Sequence, residues 1–217
     1  MNTTELLAAF RDEMADNAAP YLWSDSAVYR YLDDAQKMFC RLTEGIEDSS
    51  TADICRLSVV AGTDWYALSP KILKVREVID LVTGRPYGLI SAEKAPSAGA
   101  HFTGQPGPLR LFVQGLEKGK LRAWPMPASA VSVELRVFRM PLVTLSGANQ
   151  TLEIDEQHHL ALLDWVKRHA YNKEDAETFN RRKAEEYEGR FRAYCAAARV
   201  EQERARRTTG TVIYGGI

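Results

Sequence analysis

The sequence predicts an α+β fold: helices from both ends of the chain form a bundle, a small antiparallel β domain is inserted between them, and the C-terminus continues as an extended arm. Apolar residues recur at three- and four-residue spacing near both ends, but alternate at a period of two in the middle. The predicted divisions are 1–50 for the N-terminal helices, 51–150 for the β domain, 151–207 for the C-terminal helices and 208–217 for the arm.

Composition indicates a globular chain, with 217 residues, 45% apolar, 26% charged and a formal net charge of −1. This near-neutral charge argues against a surface that is basic throughout, as a general nucleic-acid binder needs. No apolar run reaches the roughly 18 residues of a membrane span, so we expect no membrane partner. The cysteines Cys40, Cys55 and Cys195 are odd in number and far apart, which favours reduced thiols over disulfides or a zinc site.

Two helices are predicted before residue 50. The first covers Thr4 to Asp16, with Thr4 as its cap, and stops before Pro20. The second begins after Ser24 or Asp25 and has a long apolar stripe at helical spacing. The stripe consists of Val28, Tyr31, Leu32, Ala35, Phe39, Leu42 and Ile46.

The middle of the chain has the alternation of β-strands from Thr51 onward, and about six strands joined by short turns are predicted. The clearest is the last, where Val131, Val133, Leu135 and Val137 share one face. Between strands, Ala92 to Pro108 is rich in glycine and proline and predicts a long surface loop.

Two further helices are predicted near the C-terminus, with a break near Tyr171–Asn172. Asp155 is the expected cap of the first. The second is expected to run from Lys173 to Arg204, roughly 48 Å at 1.5 Å per residue. Because that exceeds the span of a small domain, its C-terminal end should project or meet a partner.

The candidate partner-binding residues lie at that end. They are Arg199, Arg204, Arg206, Arg207, Val212, Ile213 and Tyr214. The arginines concentrate positive charge where it suits the helix dipole. Thr208 to Ile217 is uncharged and contains a short strand-forming run, which is suited to adding to a partner's sheet edge or filling its groove.

Residues that could carry catalysis are scattered. Gly115 to Lys120 lacks the length and the following Ser or Thr of a phosphate-binding loop. His158 and His169 are separated by roughly 16 Å along a helix, so they cannot share a metal ion. Cys195 lies among alanines on a helical face, which is typical of packing. We therefore expect no enzyme activity and no catalytic, cofactor-binding or metal-binding residues.

Short stretches of the sequence also carry a resemblance to a known family. They are Trp23-Ser24-Asp25 before Tyr31-Leu32-Asp33-Asp34-Ala35-Gln36, the Leu73–Val82 strand, Trp124-Pro125-Met126-Pro127 before Val133–Arg139, and Asp155-Glu156-Gln157-His158-His159 before Trp165 and Ala170-Tyr171. In this order, over about residues 20 to 195, the chain resembles the head-to-tail adaptor proteins of tailed bacteriophages.

This resemblance implies a structural virion protein, assembled in the host cytoplasm. Twelve copies would form a ring on the portal protein, extend the DNA channel and meet a tail or nozzle protein. The helical part would lie near the portal and the β part toward the tail, with DNA passing through the channel. In such proteins the C-terminal arm docks into the portal, which suits Thr208 to Ile217.

Two alternatives come from other functional classes. One is a nucleic-acid-binding protein that uses Arg199 to Arg207 on DNA, and the other is a hydrolase that uses Cys195 or a histidine. The distribution of charge separates the first alternative from the adaptor, because a DNA binder carries basic residues over a whole face rather than at one helix end.

Overall fold

The structure is a computed structural model that describes residues 1–100, 102, 104–174 and 178–206. It divides into two compact units. The helical unit comprises Met1–Glu44 together with the described residues from Val143 onward, and the sheet unit comprises Gly45–Leu142. The predicted arm, residues 208–217, lies outside the described residues.

Five α-helices occur in the described part of the chain. They are α1 (Thr3–Glu13), α2 (Asp25–Leu42), α3 (Ala52–Cys55), α4 (Leu162–Tyr171) and α5 (Arg181–Arg206). All except the four-residue α3 belong to the helical unit. The cap of α1 is Asn2 rather than Thr4, because the Asn2 side chain accepts a hydrogen bond from the Glu5 amide while the Glu5 carboxylate accepts one from the Asn2 amide.

Helix α4 packs against both α2 and α5. The Trp165 ring shows why, since its Nε1 donates to Asp34 on α2 at 2.7 Å while its ring centroid lies 5.1 Å from that of Phe191 on α5. The core of the unit is apolar and includes Leu6, Phe10, Leu32, Phe39, Leu163 and Val166. The predicted stripe of α2 therefore faces this core at Val28, Leu32, Ala35 and Phe39.

Ten strands form the sheet unit. They are β1 (Ile46–Asp48), β2 (Arg56–Val59), β3 (Trp65–Ala67), β4 (Ile72–Asp80), β5 (Pro86–Ser91), β6 (Pro106–Gly107), β7 (Leu111–Gln114), β8 (Lys120–Trp124), β9 (Met126–Pro127) and β10 (Val131–Arg139). Eight of them form one curled sheet in the order β1-β10-β4-β5-β7-β8-β3, with β2 also paired to β10. β6 and β9 form a separate parallel pair.

The predicted fold class, a helical bundle carrying a small antiparallel β domain, is wrong. A curled, half-barrel sheet dominates this mixed α+β protein. The sheet is also not purely antiparallel, because β5 and β7 run in the same direction, with Gly88 opposite Leu111 and Ser91 opposite Gln114. Alternation within a strand does not reveal the direction of its neighbour, so the sequence pattern could not show this pair.

Two predicted helix starts are also wrong. Glu156–His158 forms a short 3₁₀ helix without a side-chain cap from Asp155, and α4 begins only at Leu162. Helix α5 begins at Arg181 rather than Lys173, so its 26 residues span about 39 Å. Phe179 fits the apolar spacing of α5, but lies before the helix with half of its surface exposed. The predicted break is confirmed, since α4 ends at Tyr171.

Candidate interaction surface

The inner face of α5 is fixed to the helical unit by small and aromatic side chains. Ala184, Phe191, Cys195 and Ala198 are buried, at spacings of seven, four and three residues that place them on one side of the helix. The Tyr187 ring stacks on that of Tyr171, with centroids 5.8 Å apart. These contacts leave the opposite side of α5 facing outward.

Polar contacts hold the same face at two further points. The Arg168 Nε donates to the Glu188 carboxylate at 3.2 Å. Near the other end, the His158 Nδ1 lies 2.9 Å from the Tyr194 hydroxyl. Helix α5 is therefore tied to residues before and within α4 along most of its length, which fixes which of its residues point away from the unit.

The outer face of α5 consists of small residues. Gly189, Ala193, Ala196, Ala197 and Val200 are exposed and recur at helical spacing. A Cβ placed on Gly189 would meet no atom within 4 Å. Because four of these five side chains are no larger than a methyl group, another helix could approach this face closely. We call these five residues the small-residue face.

Ion pairs between residues one turn apart flank the small-residue face. Arg192 Nε donates to Glu188 at 2.9 Å and Arg199 Nε donates to Glu203 at 3.1 Å, while Arg190 pairs with Glu186. Exposed pairs of this kind contribute only about 0.3–0.5 kcal/mol each to stability. Their charges can therefore be re-paired with a partner at little cost.

The described arginines of the predicted partner-binding set differ in position. Arg199 is exposed beside Glu203, and Arg204 is exposed. Arg206 forms an ion pair with Glu44, just beyond the end of α2. The described C-terminal end of α5 is thus attached to its own unit. Arg207, Val212, Ile213 and Tyr214 lie outside the described residues.

The residues that could have indicated catalysis have packing roles. Cys195 is fully buried, and burial raises the pKa of its thiol to about 12, so a nucleophilic thiolate does not form near neutral pH. His159 is buried and its Nε2 lies 2.9 Å from the Ile154 carbonyl. Among the described residues no group of three or more His, Cys, Asp or Glu side chains is placed to hold a metal ion. Within the same ranges no helix combines the length and apolarity needed to cross a bilayer.

Sequence reasoning identified the arginines and predicted that Ala196 to Ala198 allow close approach of another helix, but it missed the rest of the small-residue face. The signal is present as Gly189, Ala193 and Ala197 at intervals of four. Alanine occurs on either side of a helix, however, and Ala198 next to this series is buried. Only the packing of α4 on α5 shows which alanines face outward.

Comparison with protein families gives a match along nearly the whole chain. The family described as SU10 adaptor protein matches residues 1–214. No curated protein matches the sequence.

Proposed function

The chain belongs to the SU10 adaptor family of phage head-to-tail adaptors, and from this premise we propose that twelve copies form a ring on the portal vertex. The ring extends the DNA channel and joins the capsid to the tail. As a family member the chain is a structural component of the virion that associates with portal and tail components.

The small-residue face of α5 is the observation that supports ring formation. Gly189, Ala193 and Ala197 are exposed and are not covered by the rest of their unit, and ion pairs flank them. In the ring, this face packs against the neighbouring copy. The flanking charges of both signs favour one register of that packing.

The proposed portal contact uses the end of the chain. Arg204 is exposed in the last described turn of α5, and Thr208 to Ile217 follows it in the sequence. We assign this arm, with Arg207, Val212, Ile213 and Tyr214, to the portal, and the sheet unit to the tail or nozzle protein. Many copies binding together make even a weak contact by each arm effective.

DNA binding by the arginines is the competing function. Arg199 and Arg206 are paired with Glu203 and Glu44, which reduces the positive charge that the end of α5 offers to phosphates. Among the described residues, this pairing supports the adaptor role over DNA binding.

Ring formation can be tested by light scattering of the full chain, alone and with the portal protein of the same virus. We expect a large assembly in at least one of the two samples. Ala193→Trp and Ala197→Trp should each abolish it, because an indole prevents close approach of a second helix. Ala8→Trp is the matched control, as it changes an exposed alanine of α1 in the same unit.

Two results would count against the proposal. One is a wild-type chain that stays monomeric with the portal protein and shifts duplex DNA at moderate salt. The other is an assembly that both tryptophan variants of the small-residue face form as readily as the Ala8→Trp control.

A further inference from the structure

The connection between α1 and α2 exposes a run of apolar residues. Every residue from Ala18 to Leu22 is exposed, with Tyr21 at 48% and Leu22 at 43%. Single exposed apolar side chains need no explanation, but an unbroken run of them is uncommon on a surface that contacts only water. We call residues 18–22 the apolar loop.

The buried guanidinium of Arg11 holds the apolar loop in one conformation. Its Nη1 donates to Asp16 at 2.7 Å, its Nη2 donates to the Trp23 carbonyl at 3.1 Å, and its Cζ lies 3.6 Å from the centroid of the Tyr21 ring. The Asp16 carboxylate also accepts a hydrogen bond from the Leu22 amide at 2.9 Å. The loop is therefore preorganised, which lowers the entropy lost when it binds a partner.

The surface around the apolar loop is acidic. From Arg11 to Asp25 the chain has four acidic residues, and Arg11 is its only basic residue. Arg11 is buried, whereas Asp12 is exposed and the Asp25 side chain keeps 56% of its surface exposed. A partner that surrounds an apolar surface with positive charge therefore matches this loop.

The small-residue face of α5 has those properties. Between Gly189 and Val200 the helix carries three basic residues and no acidic one. The basic residues, which are all exposed, are Arg190, Arg192 and Arg199. The carboxylates that pair with them lie outside this stretch of the helix. An apolar loop can thus lie on the small side chains while the arginines around them approach its carboxylates.

The apolar loop and the small-residue face lie on different sides of the helical unit. Helices α1 and α5 each pack on α2 and on α4, which also pack on each other. In the described part of the chain, α1 and α5 make no extensive contact with each other. Helices packed in this way at about 8–10 Å place α1 and α5 roughly 16 Å apart, on either side of the pair α2 and α4. One copy can therefore offer its loop to one neighbour and its small-residue face to another.

Contacts within the unit also place both surfaces at the same level along the helices. Trp23, which follows the loop, donates from Nε1 to the Ala170 carbonyl at 3.3 Å. The next residue, Tyr171, stacks on Tyr187 of α5 with ring centroids 5.8 Å apart. Gly189 lies only about 3 Å further along α5 than Tyr187. A contact between these surfaces needs no displacement of successive copies along their helices, so this head-to-tail contact can close into a ring.

We propose that the apolar loop of one copy packs on the Gly189 end of the small-residue face of the next copy. The side chains of Tyr21 and Leu22 then cover Gly189 and the helical turn that follows it. A Cβ on Gly189 would meet no atom within 4 Å, so the surface is open at this point. The inference rests on the ring proposed above and names the part of the neighbouring copy that covers α5.

Disulfide trapping tests this contact directly. Cys40, Cys55 and Cys195 are all buried, so introduced surface thiols are expected to react first. Ala18→Cys, in the apolar loop, is mixed with Ala193→Cys, in the small-residue face, and the mixture is oxidised with and without the portal protein. We expect a disulfide-linked dimer from the mixture and a ladder of larger species from the double variant, because a ring repeats the contact.

The matched control replaces Ala193→Cys by Ala205→Cys. Ala205 is also an exposed alanine of α5, but lies more than three helical turns, about 18 Å, beyond Ala193. A cross-link that forms equally well with this control reflects random collision and overturns the inference. Light scattering of the same samples reports assembly independently of the cross-link.

The outcomes separate this inference from the proposed function. Assembly without the cross-link between positions 18 and 193 overturns the inference and leaves the ring intact. Failure of the wild type to assemble, with or without the portal protein, overturns the ring and the inference with it.

A second measurement uses charge. Leu22→Lys should reduce assembly at least about tenfold, because it replaces an apolar contact with a charge of the same sign as the arginines of α5. Val143→Lys changes another exposed apolar residue of the helical unit, outside the loop, and should leave assembly unchanged. Equal assembly of these two lysine variants would also overturn the inference.

Discussion

Arg206, the last described residue of α5, forms an ion pair with Glu44, two residues beyond the end of α2. Both side chains are largely buried, with 23% and 19% of their surface exposed. Helices α2 and α5 run in the same direction, since each meets α4 and the residues before it in the opposite chain order. The pair therefore ties the last described turn of α5 to the segment just beyond α2.

The first prediction concerns this pair. Replacing Glu44 by alanine should lower the free energy of unfolding by about 1–3 kcal/mol, because it leaves a partly buried guanidinium without its carboxylate. Amide hydrogen exchange should increase mainly in the last turns of α5. A double-mutant cycle with Arg206→Ala measures the coupling, which should clearly exceed that of the exposed pair Arg199 and Glu203. Equal coupling for the two pairs would contradict a special role for Glu44.

A second ion pair predicts a larger effect in the sheet unit. Arg139 of β10 pairs with Asp48 of β1, and both are buried. Thr51 Oγ1 donates to the same carboxylate at 2.6 Å. Asp48→Asn should destabilise the protein by about 3–5 kcal/mol, because the buried Arg139 charge loses the carboxylate that pairs with it. Asp53→Asn, at an exposed carboxylate nearby, is the control. It should change the free energy of unfolding, measured by chemical denaturation, by less than about 0.5 kcal/mol.

The same carboxylate predicts loss of stability in acid. Burial acts to raise the pKa of Asp48, but hydrogen bonds from Thr51, from Arg139 and from backbone amides outweigh it, and the pKa is lowered. Its stabilising contribution is therefore complete above the unfolded-state pKa of about 3.9 and is lost as the pH falls below that value. Below about pH 4, the difference in the free energy of urea unfolding between the wild type and Asp48→Asn should become smaller. A difference that does not change with pH would contradict a lowered pKa for Asp48.

A structural feature could be predicted from the sequence where neighbouring residues determine it, and could not where contacts between distant parts of the chain determine it. The stripe of α2 and the strand β10 as far as Val137 follow from periodicity alone, since their burial repeats with the period of the element. The start of α5 could not be predicted, because Phe179 continues the apolar spacing and only the backbone conformation shows that it lies before the helix.

Contacts between distant parts of the chain were beyond such reasoning. Nothing near Glu44 in the sequence points to Arg206, and nothing in β5 shows that its neighbour β7 is parallel. The small-residue face was partly visible as a run of alanines, but its direction depends on the packing of Phe191 against Trp165. The order of the strands and the direction of the candidate interaction surface both depend on tertiary packing, which local sequence patterns do not determine.

A further prediction concerns the buried histidine His158. It is 3% exposed, lies 2.9 Å from the Tyr194 hydroxyl and packs against the ring of Phe39 at 4.7 Å. Burial lowers its pKa, although Asp155 and Glu201 act to raise it. Because the folded-state pKa lies below the unfolded value of about 6.5, stability is complete above that pH and is lost as the pH falls through it.

The measurement is urea unfolding between about pH 7.5 and about pH 5.5, where a histidine of this kind reduces stability by at most about 1.4 kcal/mol per pH unit. His158→Gln should be less stable at the higher pH, but should lose less on acidification. Burial also lowers the pKa of His169, so this histidine accounts for part of the pH dependence of the free energy of unfolding that remains in the His158→Gln variant. Wild-type stability that is unchanged over this range would contradict the prediction.

The last prediction concerns the arm that follows α5. A chain ending at Arg207 should keep the thermal stability of the full chain, because it retains both described cores and the ion pair between Arg206 and Glu44. Its affinity for the portal protein should fall by at least about tenfold, which corresponds to about 1.4 kcal/mol of lost binding free energy.

A second variant keeps the length of the arm but replaces Val212, Ile213 and Tyr214 with serine. It should lose affinity to a similar extent, since these side chains are the ones expected to enter a groove or add to a sheet edge. A shortened chain that unfolds would show that the arm belongs to the helical core, whereas one that binds the portal as tightly as the full chain would place the portal contact elsewhere.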